Sequence, residues 1–164
     1  MNTTWKPSVT VAAVIEREGR FLLVEEDTAE GLKLNQPAGH LDSGESLLQA
    51  VVREALEETA HDFAPTALLG VYLAAGHSSR TGEAVTYMRF AFRGELGRRH
   101  EGRALNTGIV RTVWMTPEEI RASAARHRSP MLLQCVEDHL AGKQGSLDVL
   151  YTHVSALTAR SVEP

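Results

Sequence analysis

Two apolar runs come first in the chain. Val9 to Glu16 reads VTVAAVIE and Arg20 to Glu26 reads RFLLVEE, with a turn at Glu18-Gly19 between them. Rich in β-branched and apolar residues, they predict a hairpin of two buried strands. Asp27 to Lys33 is polar and reads as a loop. Leu34 to Ala38 is a short extended piece, because Pro37 biases Gln36 away from helix, and it delivers the chain to Gly39. From about Glu45 or Ser46 to about Thr59 the period turns helical. Leu48, Val52, Ala55, Leu56 and the Thr59 methyl fall on one side as a buried stripe. Asp42, three residues before Glu45, resembles a capping box at the helix start.

Beyond Pro65, Leu68 to Ala75 predicts a strand, Gly76 to Glu83 a loop, and Ala84 to Leu96 another strand. In the latter, Met88, Phe90 and Phe92 alternate with Tyr87, Arg89, Ala91 and Arg93, so the first set should face the core. Gly97 to Gly108 is a basic, glycine-containing loop, and Ile109 to Met115 is a strand. Thr116-Pro117-Glu118-Glu119 opens a helix, with a threonine cap and proline at the first position, ending near Arg126. Arg128-Ser129-Pro130 starts a second helix through about Ala141, stopped by Gly142, with Cys135 packed inside it. Leu147 to Val154 fits a short strand or coil, and the tail after about Ser155 should fray.

Size and charge narrow the function classes. The chain has 164 residues, which predicts one domain over 1–164. Seventeen Lys and Arg against 21 Asp and Glu leave a net charge of −4, so nothing here resembles the basic footprint of a nucleic-acid binder. No apolar run reaches the length of a membrane span, and MNTTWKPSVT lacks the regions of a signal peptide. Cys135 is the only cysteine, which rules out an intrachain disulfide and a cysteine zinc site. The expected compartment is the reducing cytoplasm, and the expected assembly a monomer or homodimer.

Candidate chemistry concentrates on the first helix. Glu54, Glu57 and Glu58 are three and four apart and project from one side, with Arg53 one turn before Glu57. At an effective dielectric of about 20 and ~5 Å separation, each carboxylate pair repels by ~3 kcal/mol. A cleft holding them needs a hard divalent cation such as Mg²⁺, with Mn²⁺ as a substitute. Taken alone, REALEE fits a solvated acidic face with an Arg-Glu pair better than a metal site.

The loop before the helix changes that balance. Gly39, five residues, Glu45, seven residues, Arg53-Glu54, then Glu57-Glu58 resembles the signature of the Nudix hydrolases at every charged position. Two positions depart: the family's closing glycine is Ala60, and the following aliphatic residue is His61. The glycine would suit a left-handed cap, so Ala60 either costs about 1 kcal/mol or the helix ends differently.

The resemblance implies an α/β fold, an alpha-beta-alpha sandwich with a mixed β-sheet. It also implies phosphoanhydride hydrolysis of a small-molecule substrate, with Mg²⁺ held by Glu54, Glu57, Glu58 and the Ala38 carbonyl. Arg53 would orient the carboxylates, most simply Glu57. Glu54 is the first candidate for general base and Glu101, on the basic loop, the second. In the family the glutamate at position 45 pairs with Arg53; equally, Glu45 could simply favour the positive helix end. More narrowly, WKPSVTVAAV, the EE after RFLLV, NQPAGHLD, TYMRFAF and RSP resemble the bacterial NudJ-type phosphatases. These release orthophosphate from nucleoside tri- and diphosphates and from the diphosphates of thiamin and hydroxymethylpyrimidine. The alternatives are a Nudix enzyme for a modified nucleotide, ADP-ribose or a dinucleoside polyphosphate, and a non-catalytic Nudix ligand-binding domain.

For the leaving group, Gln36, His40, Tyr87 and Arg89 are the candidates, since an aromatic ring beside an amide suits a pyrimidine. Arg89 could grip a phosphate bidentately or form a cross-strand ion pair. His40 fits a loop imidazole in water better than a substrate contact.

Overall fold

The computed structural model describes residues 3–157. The elements in order are β1 (Ser8–Val14), β2 (Glu16–Arg17), β3 (Arg20–Thr28), β4 (Gly31–Asn35), β5 (Ala38–His40), α1 (Leu47–Thr59), β6 (His61–His77), β7 (Ala84–Arg99) and β8 (Ile109–Met115). Then follow α2 (Pro117–Ala122), a 3₁₀ turn (Ala124–Arg126), α3 (Met131–Leu140), a second 3₁₀ turn (Leu147–Val149) and α4 (Val154–Leu157).

Two sheets form the middle layer. One has the order β5-β1-β7-β6 and is mixed, since β1 and β7 run parallel. The other has the order β2-β3-β4, with β8 on the free side of β3. The apolar runs at the start therefore do not pair with each other. β3 makes its hairpin with the short β2, and β1 leaves for the mixed sheet, linked to β3 by the Leu22 N–H to Ile15 carbonyl bond at 3.0 Å. An unbroken apolar run reveals that both faces are buried, and not which strand lies beside it.

Both faces are indeed covered. Val11, Ala13, Ile15, Leu22 and Phe92 pack with Ala50, Val51 and Ala55 of α1. Ala12, Val14, Phe21, Leu23 and Ala91 pack with Ile120 of α2 and Leu132, Cys135 and Val136 of α3. This is an α-β-α sandwich. Met88, Phe90 and Phe92 thus face one core of two, and the Arg89 side of β7 faces the other.

Local chemistry explains the boundaries. α1 starts at a capping box in which Ser46 Oγ accepts from the Gln49 N–H at 3.1 Å and Gln49 Oε1 accepts from the Ser46 N–H at 2.8 Å. The predicted Asp42-Glu45 box supplies only one bond, Asp42 N–H to Glu45 Oε1 at 2.8 Å. The helix ends on Ala60 at φ 58°, ψ 24°, the left-handed cap that glycine takes without strain. Its apolar stripe is Ala50, Val51 and Ala55, while Val52 is 37% exposed.

Several loops proved to be strand. Thr28 and Gly31 close a tight β3-β4 turn where a polar loop was expected. β6 begins at His61 and passes Pro65 with register shifts, which an edge strand tolerates. β7 continues to Arg99 and takes Arg98 and Arg99 into the strand, so the loop that was expected to be basic is only residues 100–108, with one arginine and one glutamate. Leu147 to Val154 holds the second 3₁₀ turn and the first residue of α4. Of the expected frayed tail, Ser155–Leu157 lie in α4, and residues 158–164 lie outside the described residues. No helix among the described residues is long and apolar enough to cross a membrane.

Candidate active site

β5 is an edge of the mixed sheet, and its outward side meets α1. The bonds Leu41 N–H to Val9 O (3.1 Å) and Ala13 N–H to Pro37 O (2.9 Å) fix the alternation. Ala38 and His40 therefore turn their backbone groups away from β1, toward the helix. The Ala38 N–H donates to Glu58 Oε2 at 3.0 Å, and the His40 carbonyl accepts from Arg53 Nη2 at 2.9 Å.

Gly39 lies between them for a steric reason. A Cβ there would sit 2.1 Å from Glu54 Oε1 and 2.4 Å from Oε2. The Glu54 carboxylate occupies the space that any other side chain would need.

Arg53 gathers the acids. It forms a fork on Glu45, with Nε to Oε2 at 3.0 Å and Nη2 to Oε1 at 2.6 Å. Its Nη1 reaches Glu54 Oε1 at 2.7 Å and Glu57 Oε2 at 3.2 Å, and Asp42 Oδ2 lies 3.4 Å from Nη2. The Glu45-Arg53 pair is thus formed, before the helix proper begins. Arg53 holds Glu54 more tightly than Glu57.

The carboxylates do not stand on an exposed face. Glu54 and Glu58 are 7% and 5% exposed, sunk in the seam between α1 and β5. Burial pushes the Glu58 carboxyl up to about 9, against the opposing Ala38 N–H, with Glu26, Glu54 and Glu57 adding repulsion. Burial also raises Glu54, which Arg53 only partly offsets. The Glu45 carboxyl is held low by its bond to Arg53.

The donor set is all oxygen. Glu54 Oε2, Glu57 Oε1 and Glu58 Oε1 are unused by the bonds above, and the Ala38 carbonyl faces the same seam. This chemistry fits a hard divalent cation. Among the described residues no three acidic, histidine or cysteine side chains converge on one point as they stand. Arg53 Nη1 lies between Glu54 and Glu57, so ligation requires these side chains to re-aim.

The leaving-group candidates share one face of the mixed sheet. Arg89 pairs across Thr10, as does His40, and Tyr87 is two residues from Arg89. The His40 and Tyr87 rings lie 6.3 Å apart and are accessible. Arg89 is not: it is 4% exposed. It forms neither the cleft-facing grip nor the ion pair expected of it. Its Nη1 donates to Gln36 Oε1 at 2.8 Å and its Nη2 to Asn35 Oδ1 at 3.0 Å, and buried Nε has no partner. Gln36 Nε2 in turn donates to the Leu132 carbonyl of α3 at 2.9 Å. Covered by α3, this pair sits deeper than the sequence pattern implied. Glu101, the second base candidate, is 79% exposed and 3.7 Å from Arg99.

Three participants lie in stretches the sequence singled out, but not in these roles. Asn35 is the second anchor of Arg89. Asp42 adds charge beside Arg53. Glu26, bonded to Arg128 at 3.3 Å, acts on Glu58 from β3. A register shift between Glu25 and Glu26 re-aims the pair. Glu25 turns to Arg111 and Arg126, and only the tertiary fold brings its neighbour within electrostatic reach of Glu58.

Comparison with known proteins gives concordant findings. A family model described as NUDIX domain matches residues 4–135. Phosphatase NudJ of Escherichia coli strain K12 is 34% identical over 147 residues, 89% of this chain and 92% of that protein. A solved NUDIX hydrolase from Nitrosomonas europaea is 50% identical with a TM-score of 0.82, covering 91% of this chain and 99% of that one. A MutT NUDIX hydrolase from Burkholderia pseudomallei shares the fold at 21% identity and TM-score 0.64, over 82% of this chain and 98% of its own.

Proposed function

The chain belongs to the Nudix hydrolase family, enzymes acting on phosphorus-containing anhydrides, and from this we propose that it is a NudJ-like, Mg²⁺-dependent phosphatase. It releases orthophosphate from nucleoside tri- and diphosphates, and from thiamin or hydroxymethylpyrimidine diphosphate, in the cytoplasm. The observation that carries the proposal is the Arg53 hub, which draws Glu45, Glu54 and Glu57 together beside the Glu58–Ala38 contact.

Each residue then has a task. Glu54, Glu57, Glu58 and the Ala38 carbonyl would hold the divalent cation, whose chemistry is to neutralise phosphate oxygens and acidify water. Arg53, anchored chiefly by its fork on Glu45, orients Glu54 and Glu57. Glu54 takes a proton from the attacking water. His40 and Tyr87 contact the leaving group at the accessible end of the sheet face. Gln36 and Arg89, buried under α3, support that face from beneath.

The test measures orthophosphate release from a panel of hydroxymethylpyrimidine diphosphate, thiamin diphosphate, a nucleoside di- and triphosphate, ADP-ribose and a dinucleoside tetraphosphate. Release from the first four, dependent on Mg²⁺ and lost by orders of magnitude in Glu57→Gln with the fold intact, is expected. Nucleoside monophosphate with pyrophosphate as products, or cleavage confined to the last two compounds, would overturn the phosphatase assignment. Near-normal turnover in Glu57→Gln would overturn the metal-site assignment.

A further inference from the structure

The loop of residues 100–108 has no task in this chemistry, yet its second half is tied to α1 and β3. The Asn106 N–H donates to the Glu57 carbonyl of α1 at 2.8 Å, and the Gly108 carbonyl accepts from the Asp27 N–H of β3 at 2.8 Å. Gly102 and Gly108, at φ 76° and 92°, give the loop the left-handed turns it needs.

Between this loop and α1 lies a polar depression of about 230 Å³, lined by Glu57, Arg103, Ala104, Leu105, Asn106 and Thr107. That is room for a phosphate with several waters, at about 30 Å³ per water. Its walls are of opposite kinds. Glu57, on one side, is bonded to Arg53 and belongs to the carboxylate seam. On the other side is Arg103, an exposed residue. Among the described residues Arg103 takes part in no ion pair, although it lines the same depression as Glu57. Asn106 Oδ1 accepts from the Thr107 N–H at 3.1 Å, so that bond leaves the amide nitrogen as a donor.

We infer that this depression is the subsite for the substrate's terminal phosphate, gripped by the Arg103 guanidinium beside Glu57. The inference rests on the phosphatase reading and narrows it. An unpaired guanidinium presents a planar fork that matches two phosphate oxygens. A terminal phosphate near neutral pH is close to a dianion, whereas a phosphate esterified on both sides carries a single charge. The loop therefore favours nucleoside diphosphates and similar terminal phosphates over ADP-ribose and dinucleoside polyphosphates. Orthophosphate, the product, should bind the same place.

Calorimetric titration with orthophosphate tests this without needing turnover. Relative to wild type, Arg103→Ala should weaken orthophosphate at least tenfold, and Arg103→Lys should fall between. Arg80→Ala, which removes an arginine from a different loop, should leave it unchanged. In steady state Arg103→Ala should raise KM for a terminal phosphate about tenfold with kcat little altered, and orthophosphate should compete with substrate. Unchanged affinity in Arg103→Ala, equal weakening in Arg80→Ala, or no wild-type binding at millimolar orthophosphate would each overturn the subsite. Turnover of diphosphates with no effect of Arg103→Ala removes the subsite and leaves the phosphatase standing. Arg103-dependent orthophosphate binding without turnover does the reverse.

Discussion

Replacing Gly39 with alanine should disable the site through one contact. Gly39 is not among the positive-φ residues, so an alanine there strains no backbone dihedral. Its Cβ would, however, lie 2.1 Å from Glu54 Oε1 and 2.2 Å from Glu54 Cδ. Ordinary contact distances require the carboxylate to retreat by at least ~1 Å. That breaks or lengthens the 2.7 Å bond from Arg53 Nη1. A hydrogen bond to a charged group is worth about 1.5–3 kcal/mol net. Part of the loss is returned, because burial already disfavours the charged form of Glu54. The net loss should be about 1–2 kcal/mol, which lowers Tm by roughly 2–8 °C in a protein of this size. Activity should fall further, by ~100-fold, for a misplacement of ~1 Å. Wild type, Gly39→Ala, Glu54→Ala and the double variant should be compared by thermal melting and orthophosphate release. In the Glu54→Ala background Gly39→Ala should cost less than about 0.5 kcal/mol, because its obstacle is gone. Equal destabilisation with and without the Glu54 carboxylate would refute the reasoning.

Three further outcomes are expected. Ala60→Gly relieves about 1–2 kcal/mol of left-handed strain against about 0.8 kcal/mol for a buried methyl. It should therefore gain up to about 1 kcal/mol in denaturant melts, and a clear loss would contradict the cap assignment. The raised Glu58 carboxyl, at about 9, makes the folded chain hold a proton that the unfolded chain loses near 4.3. Stability without metal should then fall as pH rises from 5 to 9, by up to about 1.4 kcal/mol per pH unit per proton. Added Mg²⁺ should raise Tm more at pH 9 than at pH 5, and an equal rise at both would contradict the buried-carboxyl account. Arg89→Ala should cost about 2–4 kcal/mol by leaving a cavity and stranding Asn35 and Gln36. A change in KM with unchanged stability would show instead that Arg89 is held for substrate alone.

The first helix was legible because its information is local. Glu54, Glu57 and Glu58 share a side through the 3.6-residue period alone, and the Ala60 terminus lies beside the turn it controls, although the capping box fell on Ser46-Gln49 and not on Asp42-Glu45. The threonine cap and Pro117 marked α2 in the same way. The apolar runs declared themselves buried, since no soluble edge strand carries VTVAAVI. What they lacked was a polar face, so nothing in the string told β1 to leave β3 and join β7. Alternation put Tyr87 and Arg89 together correctly, but a sheet with helices on both sides has no outer face for Arg89 to look from. The acid cluster follows the same division. Spacing set which carboxylates are neighbours, whereas their burial depends on α1 lying along the edge of β5, and Glu26 acts on Glu58 only because the fold brings the two near each other. Sequence determines what is periodic within a turn or two of chain. Which surfaces meet, and hence which charges lose their water, is decided by contacts between residues far apart in the chain, which tertiary packing alone creates.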